Sequence, residues 1–164
     1  MKYIISIVLL SVLFSCCNTP ASKLKTGLEG KEMPSFDLLL MDSLHQLNTQ
    51  KISGEKPVVF ILISPSCPFC RALTKDIVSN IKSLENIQFY IISSYPFDQI
   101  KSYYSEFRLG KYSNIIVGQD YTAYSENYFN AAGVPYIAVY NKGRKLRQVF
   151  IGKINPDIIK TYCE

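Results

Sequence analysis

Two cysteines separated by two residues, in Ser64-Pro65-Ser66-Cys67-Pro68-Phe69-Cys70-Arg71, are the side chains of this sequence best suited to chemistry. Thiols at that spacing interconvert between a dithiol and a disulfide, and so exchange two electrons with another disulfide or dithiol. Pro68 fits the first position of a helix, where a missing N–H costs nothing, which makes Cys67 the capping residue. Its sulfur then faces unpaired backbone N–H groups and the positive end of the helix, with Arg71 close by. All three favour the thiolate, the form that attacks disulfides. Cys70 lies one turn further in and faces the core, placed to resolve a mixed disulfide rather than to start one. Other uses of the spacing fit less well. No second Cys-x-x-Cys exists and the single histidine, His45, lies upstream, so no metal site is expected. A structural disulfide closing so small a loop stabilises little.

A pair of this kind needs a rigid strand before it and a helix after it. Val58-Val59-Phe60-Ile61-Leu62-Ile63 is a continuous β-branched and aromatic run, as expected of a strand buried on both faces. Leu73, Ile77, Ile81 and Leu84 recur at helical spacing and predict a helix of several turns. Upstream, residues 33–40, a polar turn at Asp42-Ser43 and residues 44–47 read as a β-hairpin. Downstream come a strand over 87–92, a helix carrying Ile100, Tyr103, Tyr104 and Phe107, and a short strand over 114–117. Tyr121, Tyr124, Tyr128 and Phe129 predict a helix up to Ala132. Residues 136–140 and 145–151 form a second hairpin around Asn141-Lys142-Gly143, and a last helix starts near Pro156. Such alternation predicts an α/β fold, a mixed sheet flanked by helices on both faces. The tyrosines of the two middle helices read as half-buried packing rather than a stacking platform.

The 164 residues leave room for one domain with a proper core. A hydrophobic content of 48% with 19% charged residues excludes disorder as the default. The net charge of +5 is scattered, and its densest run, Lys142 to Arg147, falls on an expected turn. It reads as a solvated face, and no nucleic-acid partner is expected. Met1-Lys2 followed by an apolar stretch from Tyr3 to Phe14 is too short to span a bilayer and reads as an export signal over 1–15. Leu13-Phe14-Ser15-Cys16 resembles a bacterial lipobox, which would make Cys16 the lipidated first residue of the mature chain. A plain secretory signal and an uncleaved anchor are the other readings. Each places the domain in the cell envelope, facing the periplasm. Residues 16–30 are polar and small and read as a flexible tether, leaving 31–164 for the domain. Cys17 and Cys163 lie near opposite ends of the chain, and whether they meet stays open.

With Gly133-Val134-Pro135 added, the chain resembles thioredoxin-fold proteins of the membrane-tethered TlpA-like and ResA-like group. The resemblance rests on Met33-Pro34-Ser35-Phe36-Asp37-Leu38, the strand leading into Cys67-Pro68-Phe69-Cys70-Arg71, the Val134-Pro135 step and Gly143. It covers roughly Lys31 to the end and implies a thioredoxin-like fold with a strand–helix insertion at roughly 95–117. It further implies a cis bond at Val134–Pro135 beside the cysteines, with the Val134 backbone pairing with substrate peptide. The implied activity is that of an extracytoplasmic thiol–disulfide oxidoreductase without a cofactor. Its direction is read as that of a reductase or isomerase, since no histidine lies between the cysteines, where Phe69 adds only apolar bulk. Cys67 would be the nucleophile and Cys70 the resolving thiol, the two exchanging as a disulfide. Its partners would be thiols and disulfides of exported proteins and an upstream membrane electron donor or acceptor, with a lipid anchor holding the protein to the membrane. Pro68, Phe69, Ser66 and Arg71 would tune the pair. Ser66 stands where a tryptophan is common, and Ile61 and Leu73 stand where related proteins carry buried acids. A carboxylate that would help deprotonate Cys70 is therefore missing. Two alternatives carry less. A peroxidase of the same fold would place proline and threonine where Phe60 and Ser64 stand. A metallochaperone of this fold would carry a histidine downstream of the cysteines, and an interaction lipoprotein would tolerate loss of the pair that is intact here.

Overall fold

The structure is a computed structural model and describes residues 22–163. The expected leader over 1–15, the lipidated Cys16 and Cys17 lie outside the described residues. One sheet contains β1 (Ser22–Leu24), β2 (Asp37–Leu40), β3 (Gln46–Asn48), β4 (Val58–Leu62), β5 (Gln88–Ser93), β6 (Ile115–Gln119), β7 (Tyr136–Tyr140) and β8 (Leu146–Ile151). Their spatial order is β1-β8-β7-β4-β5-β6-β2-β3, with β4, β5 and β6 parallel and the other pairings antiparallel. The helices are α1 (Pro68–Ser79), α2 (Phe97–Glu106), α3 (Tyr124–Phe129) and α4 (Pro156–Cys163). Among the described residues no helix is long and apolar enough to cross a membrane.

Every residue of β4 is buried, because alternate side chains feed two separate cores. Val59 and Ile61 pack with Leu73, Ile77, Ile100, Tyr103 and Ile159, so α1, α2 and α4 cover one face. Val58, Phe60 and Leu62 pack with Phe36, Leu38, Phe129 and Tyr140 on the other, under α3 and the N-terminal segment. This is the mixed sheet flanked by helices that the alternation of elements predicted. Of the tyrosines on the two middle helices, Tyr103 is buried and Tyr124 is exposed, its ring stacked between Phe36 and Tyr128 at 5.5 and 6.0 Å.

Several boundaries differ from the sequence reading, each for a local reason. The apolar stripe to Leu84 outlasts the α-helix. Asn80 donates its side-chain amide to the Asp76 carbonyl at 2.8 Å, and residues 81–84 continue as a 3₁₀ turn. The third helix stops at Phe129 instead of Ala132 because Asn130 adopts a positive φ of 47°. The inserted unit, expected over 95–117, is α2 followed by β6 and ends at Gln119. The tether expected over 16–30 is corrected from Ser22 onward. Ser22, Lys23 and Leu24 pair with Ile151, Phe150 and Val149 of β8, and Gly30 N–H bonds the Leu146 carbonyl at 2.8 Å. Without that segment β8 would be an open edge, and its backbone groups accept a neighbour whatever the polarity of the side chains.

The N-terminal hairpin docks on the inserted strand through Leu39–Gln119 and Leu40–Gly118. A Cβ at Gly118 would lie 2.8 Å from the Cβ of the fully buried Leu38. Gly118→Ala is therefore expected to lower stability by about 1–3 kcal/mol through overpacking. Urea unfolding followed by circular dichroism checks this, and an unchanged midpoint would show that the hairpin yields freely.

Candidate active site

At the end of β4, Leu62 pairs with Ile92 of β5 and Tyr136 of β7. The Ile63 N–H still reaches the Ile92 carbonyl at 2.9 Å, and the chain then turns, closed by Cys67 N–H to the Ser64 carbonyl at 3.0 Å. Cys67 is the N-cap of α1, with extended backbone, Pro68 following, and its sulfur accepting the Cys70 N–H at 3.4 Å. A thiol in that position satisfies one of the donors that a helix start leaves unpaired. Cys67 is half-buried, whereas Cys70 is 0% exposed. Burial pushes the Cys70 thiol well above its ordinary value, and the hydrogen bond with Cys67 acts in the same direction.

From the other side comes β7. The Val134–Pro135 peptide is cis, Pro135 is buried, and the Val134 carbonyl lies 3.7 Å from the Cys67 sulfur. Pro135 is itself held by its carbonyl, which accepts the Gly152 N–H at 2.9 Å. The Val134 N–H has no partner among the described residues. One half-buried sulfur, one free N–H and one carbonyl thus share a small patch of surface, flanked by the 61% exposed ring of Phe69. Ser66 is exposed, and its hydroxyl lies 3.2 Å from that of Ser64.

Arg71, expected close to the sulfur, makes its polar contacts with other groups. Its guanidinium donates to the Pro65 carbonyl at 3.3 Å and pairs with Glu106 of α2. It also lies over the Phe107 and Tyr103 rings, at 5.3 and 6.0 Å. Its charge is balanced by the carboxylate and its plane is stacked, so it joins the redox loop to the inserted helix. Glu106 was invisible as a site residue because nothing in the sequence relates positions 71 and 106. Tyr103 and Thr74 were also missed. Tyr103 donates its hydroxyl to the Cys70 carbonyl at 3.2 Å and is 2.6 Å from the Thr74 hydroxyl, both groups being buried. Ile61 and Leu73 are buried and apolar, so the side-chain polar contact at Cys70 comes from the Tyr103 hydroxyl, itself paired with Thr74. Thr74 falls four residues after Cys70, a spacing that marks it as a neighbour on the same helix face; its tyrosine partner has no such signal. Among the described residues no cluster of three or more His, Cys, Asp or Glu side chains could hold a metal ion.

The sequence pattern of the family described as Thioredoxin-like domain matches residues 44–164. No curated protein matches the chain. Solved structures similar to it include a secreted disulfide oxidoreductase of Mycobacterium tuberculosis homologous to DsbE of Escherichia coli. That protein is 17% identical, with a TM-score of 0.64 over 77% of this chain and 93% of the other. DsbF of M. tuberculosis is 15% identical, with a TM-score of 0.66 over 85% and 96%. StoA of Bacillus subtilis is 12% identical, with a TM-score of 0.62 over 80% and 97%. At these identities the likeness is one of fold.

Two outcomes follow from the unequal burial of the thiols. In the reduced protein iodoacetamide should modify Cys67 and leave Cys70 untouched until the fold opens; peptide mass mapping checks this, and first labelling at Cys70 would reverse the roles. The second concerns pH. The folded Cys70 titrates above the ordinary value of 9.0, so its contribution to stability is complete below that value and is lost as pH rises beyond it. Reduced protein should therefore lose up to about 1.4 kcal/mol per pH unit above pH 9 in excess of a Cys70→Ala variant, as read by urea unfolding.

Proposed function

The chain belongs to the thioredoxin-like domain family, and on that footing we propose that it is an extracytoplasmic thiol–disulfide oxidoreductase of the TlpA-like and ResA-like kind. The observation that carries the reading is the contrast at one corner of the fold. A half-buried N-cap thiol sits over a fully buried one, with the Val134 carbonyl 3.7 Å from the outer sulfur. In the reductive direction the Cys67 thiolate attacks one sulfur of a substrate disulfide. The S–S bond breaks, the second substrate sulfur leaves with the electron pair as a thiolate, and a mixed disulfide remains. Cys70 then loses its proton and attacks the Cys67 sulfur, which forms the Cys67–Cys70 disulfide and frees the remaining substrate thiol. The substrate chain would lie extended along Val134, using its free N–H and its carbonyl as a strand edge does.

The burial of Cys70 supports this order of events. Its thiol stays protonated until the first step has taken place, since the positions of Ile61 and Leu73 supply no base. The substrate thiolate expelled in the first step is then the base closest at hand. The direction is read as reductive. A strong oxidant needs its reduced form stabilised, and here Arg71, next to the redox loop, is already paired with Glu106. Export and a lipid anchor at Cys16 complete the proposal, supported by the apolar leader and the Leu13-Phe14-Ser15-Cys16 run.

Insulin reduction with a recycling reductant tests the activity. Cys67→Ser should abolish turnover, and Cys70→Ser should stop at a mixed disulfide that gel shift detects; turnover in the Cys67→Ser variant would refute the mechanism. Equilibration against glutathione and dithiothreitol should give a reduction potential closer to about −270 mV than to about −120 mV.

A further inference from the structure

Closing the two sulfurs of the pair into a disulfide requires one of them to move. Residues three apart on a regular helix have Cβ atoms about 5–6 Å apart, whereas a disulfide holds them at about 3.5–4.5 Å. Cys67 is the member able to move, being the half-buried N-cap with extended backbone. Cys70 lies inside α1 and is fully buried, so the outer sulfur has to come to it. What holds Cys70 in place comes from α2. The Tyr103 hydroxyl donates to the Cys70 carbonyl at 3.2 Å. Within the helix that carbonyl already serves the N–H four residues on, so it does not need the tyrosine to be satisfied. Tyr103 uses its single proton there, which makes Thr74 the donor in the 2.6 Å contact between the two hydroxyls. Both side chains are buried, away from competing water. The next residue, Arg71, is tied to the same helix through Glu106. The Cys70 N–H, by contrast, ends on the Cys67 sulfur at 3.4 Å, an atom that changes partners during the reaction. The bond from Tyr103 involves neither sulfur.

We propose that Tyr103 is a positioning residue for the resolving thiol, its hydroxyl holding the Cys70 backbone where the Cys67 sulfur meets it on closure. This rests on the proposed thiol–disulfide exchange and concerns its second step. Once Cys67 carries a substrate sulfur, the Cys70 thiol gives its proton to the thiolate expelled in the first step. The Cys70 sulfur attacks that of Cys67, the bond between Cys67 and the substrate breaks, and the substrate sulfur leaves with the electron pair. The rate of this step depends on how often the two sulfurs are within reach and in line, and a fixed Cys70 raises it. The first step, attack of Cys67 on an outside disulfide, uses neither Cys70 nor Tyr103. A tyrosine that served packing alone would change the stability of the domain and leave the ratio of the two steps as it was.

Ellman's reagent separates the two steps. With the reduced, full-length protein in excess, the Cys67 thiolate attacks the reagent and expels one thionitrobenzoate, at a rate proportional to protein concentration. Cys70 then closes the protein disulfide, its proton passing to the buffer, and the second thionitrobenzoate leaves with the electron pair at a rate independent of concentration. The test variant combines Tyr103→Phe with Thr74→Val. The ring is kept, and the valine stops the Thr74 hydroxyl from bonding the carbonyl four residues back in the tyrosine's place. The second phase should slow about fivefold, the worth of about one hydrogen bond, with the first phase unchanged. The pair's equilibrium with glutathione should shift towards the dithiol by the same factor, about 20 mV towards a more positive potential. Tyr103→Phe alone should slow the same phase by less, and supplies the reading if the double variant does not fold. Gly118→Ala, which loosens the fold away from the cysteines, should leave both phases unchanged. An unchanged second phase in the folded variants, equal slowing of both phases, or the same slowing in Gly118→Ala would overturn the positioning role. A native protein that releases only one thionitrobenzoate would instead overturn the proposed activity beneath it.

Discussion

The burial of β4 on both faces is the constraint from which the site follows. A strand with no solvent face must be flanked by hydrogen-bonded neighbours on both edges, here β5 and β7, and capped by helices above and below. Its C-terminal end is the one place where the chain emerges, and there it turns into α1. Because β7 runs antiparallel to β4, the residues that start β7 are opposite the residues that end β4. Cys67 and Val134–Pro135 are 67 positions apart in the chain and yet in contact for this reason alone. Loss of the pairing between Leu62 and Tyr136 would separate the thiol from the backbone that faces it.

Position within one helical turn gives the two thiols different surroundings. The N-cap places the Cys67 sulfur in the path of an unpaired N–H. One turn later the same helix carries Cys70 into a core of Ile, Leu and Phe side chains, where desolvation dominates and the neutral thiol is favoured. Among the described residues no carboxylate acts on Cys70 to offset that desolvation. The hydroxyls of Tyr103 and Thr74 are neutral: Tyr103 donates to the Cys70 carbonyl, and Thr74 pairs with the Tyr103 hydroxyl. Arg71, near the pair by sequence distance, instead stacks its planar guanidinium on Phe107 and pairs with Glu106.

Much of this was legible in the sequence because the signals were local. The Val58–Ile63 run, the Pro68 position and the helical repeat of Leu73 and Ile77 each report on a few neighbouring residues, and together they place Cys67 at a helix start. The resemblance then supplied what local patterns cannot, the cis Val134–Pro135 step and the inserted strand–helix unit. What stayed hidden depended on pairs distant in sequence. Glu106 meets Arg71, and Tyr103 meets Thr74, only once α2 has packed on α1. Composition also misled at the N-terminus. Ser22 and Lys23 look like linker, yet they form a strand, because the stabilising groups are backbone N–H and C=O and these are the same in every residue but proline.

The edge strand shows how a sheet converts a short, polar segment into a fixed part of the domain. A segment that pairs with a β-strand inherits the strand's direction and register. A slip of two residues would keep the same side chains facing the same way and yet move the segment by about 7 Å along the sheet. What resists the slip are contacts that only one register satisfies. Lys23 has one ring, Tyr162, to lie against, and the Leu24 carbonyl has one amide, that of Gln148, to accept. Each such contact is worth about 1 kcal/mol or less, too little to matter for the stability of the domain but enough to select among neighbouring registers. Those small energies thus settle where along β8 the segment lies.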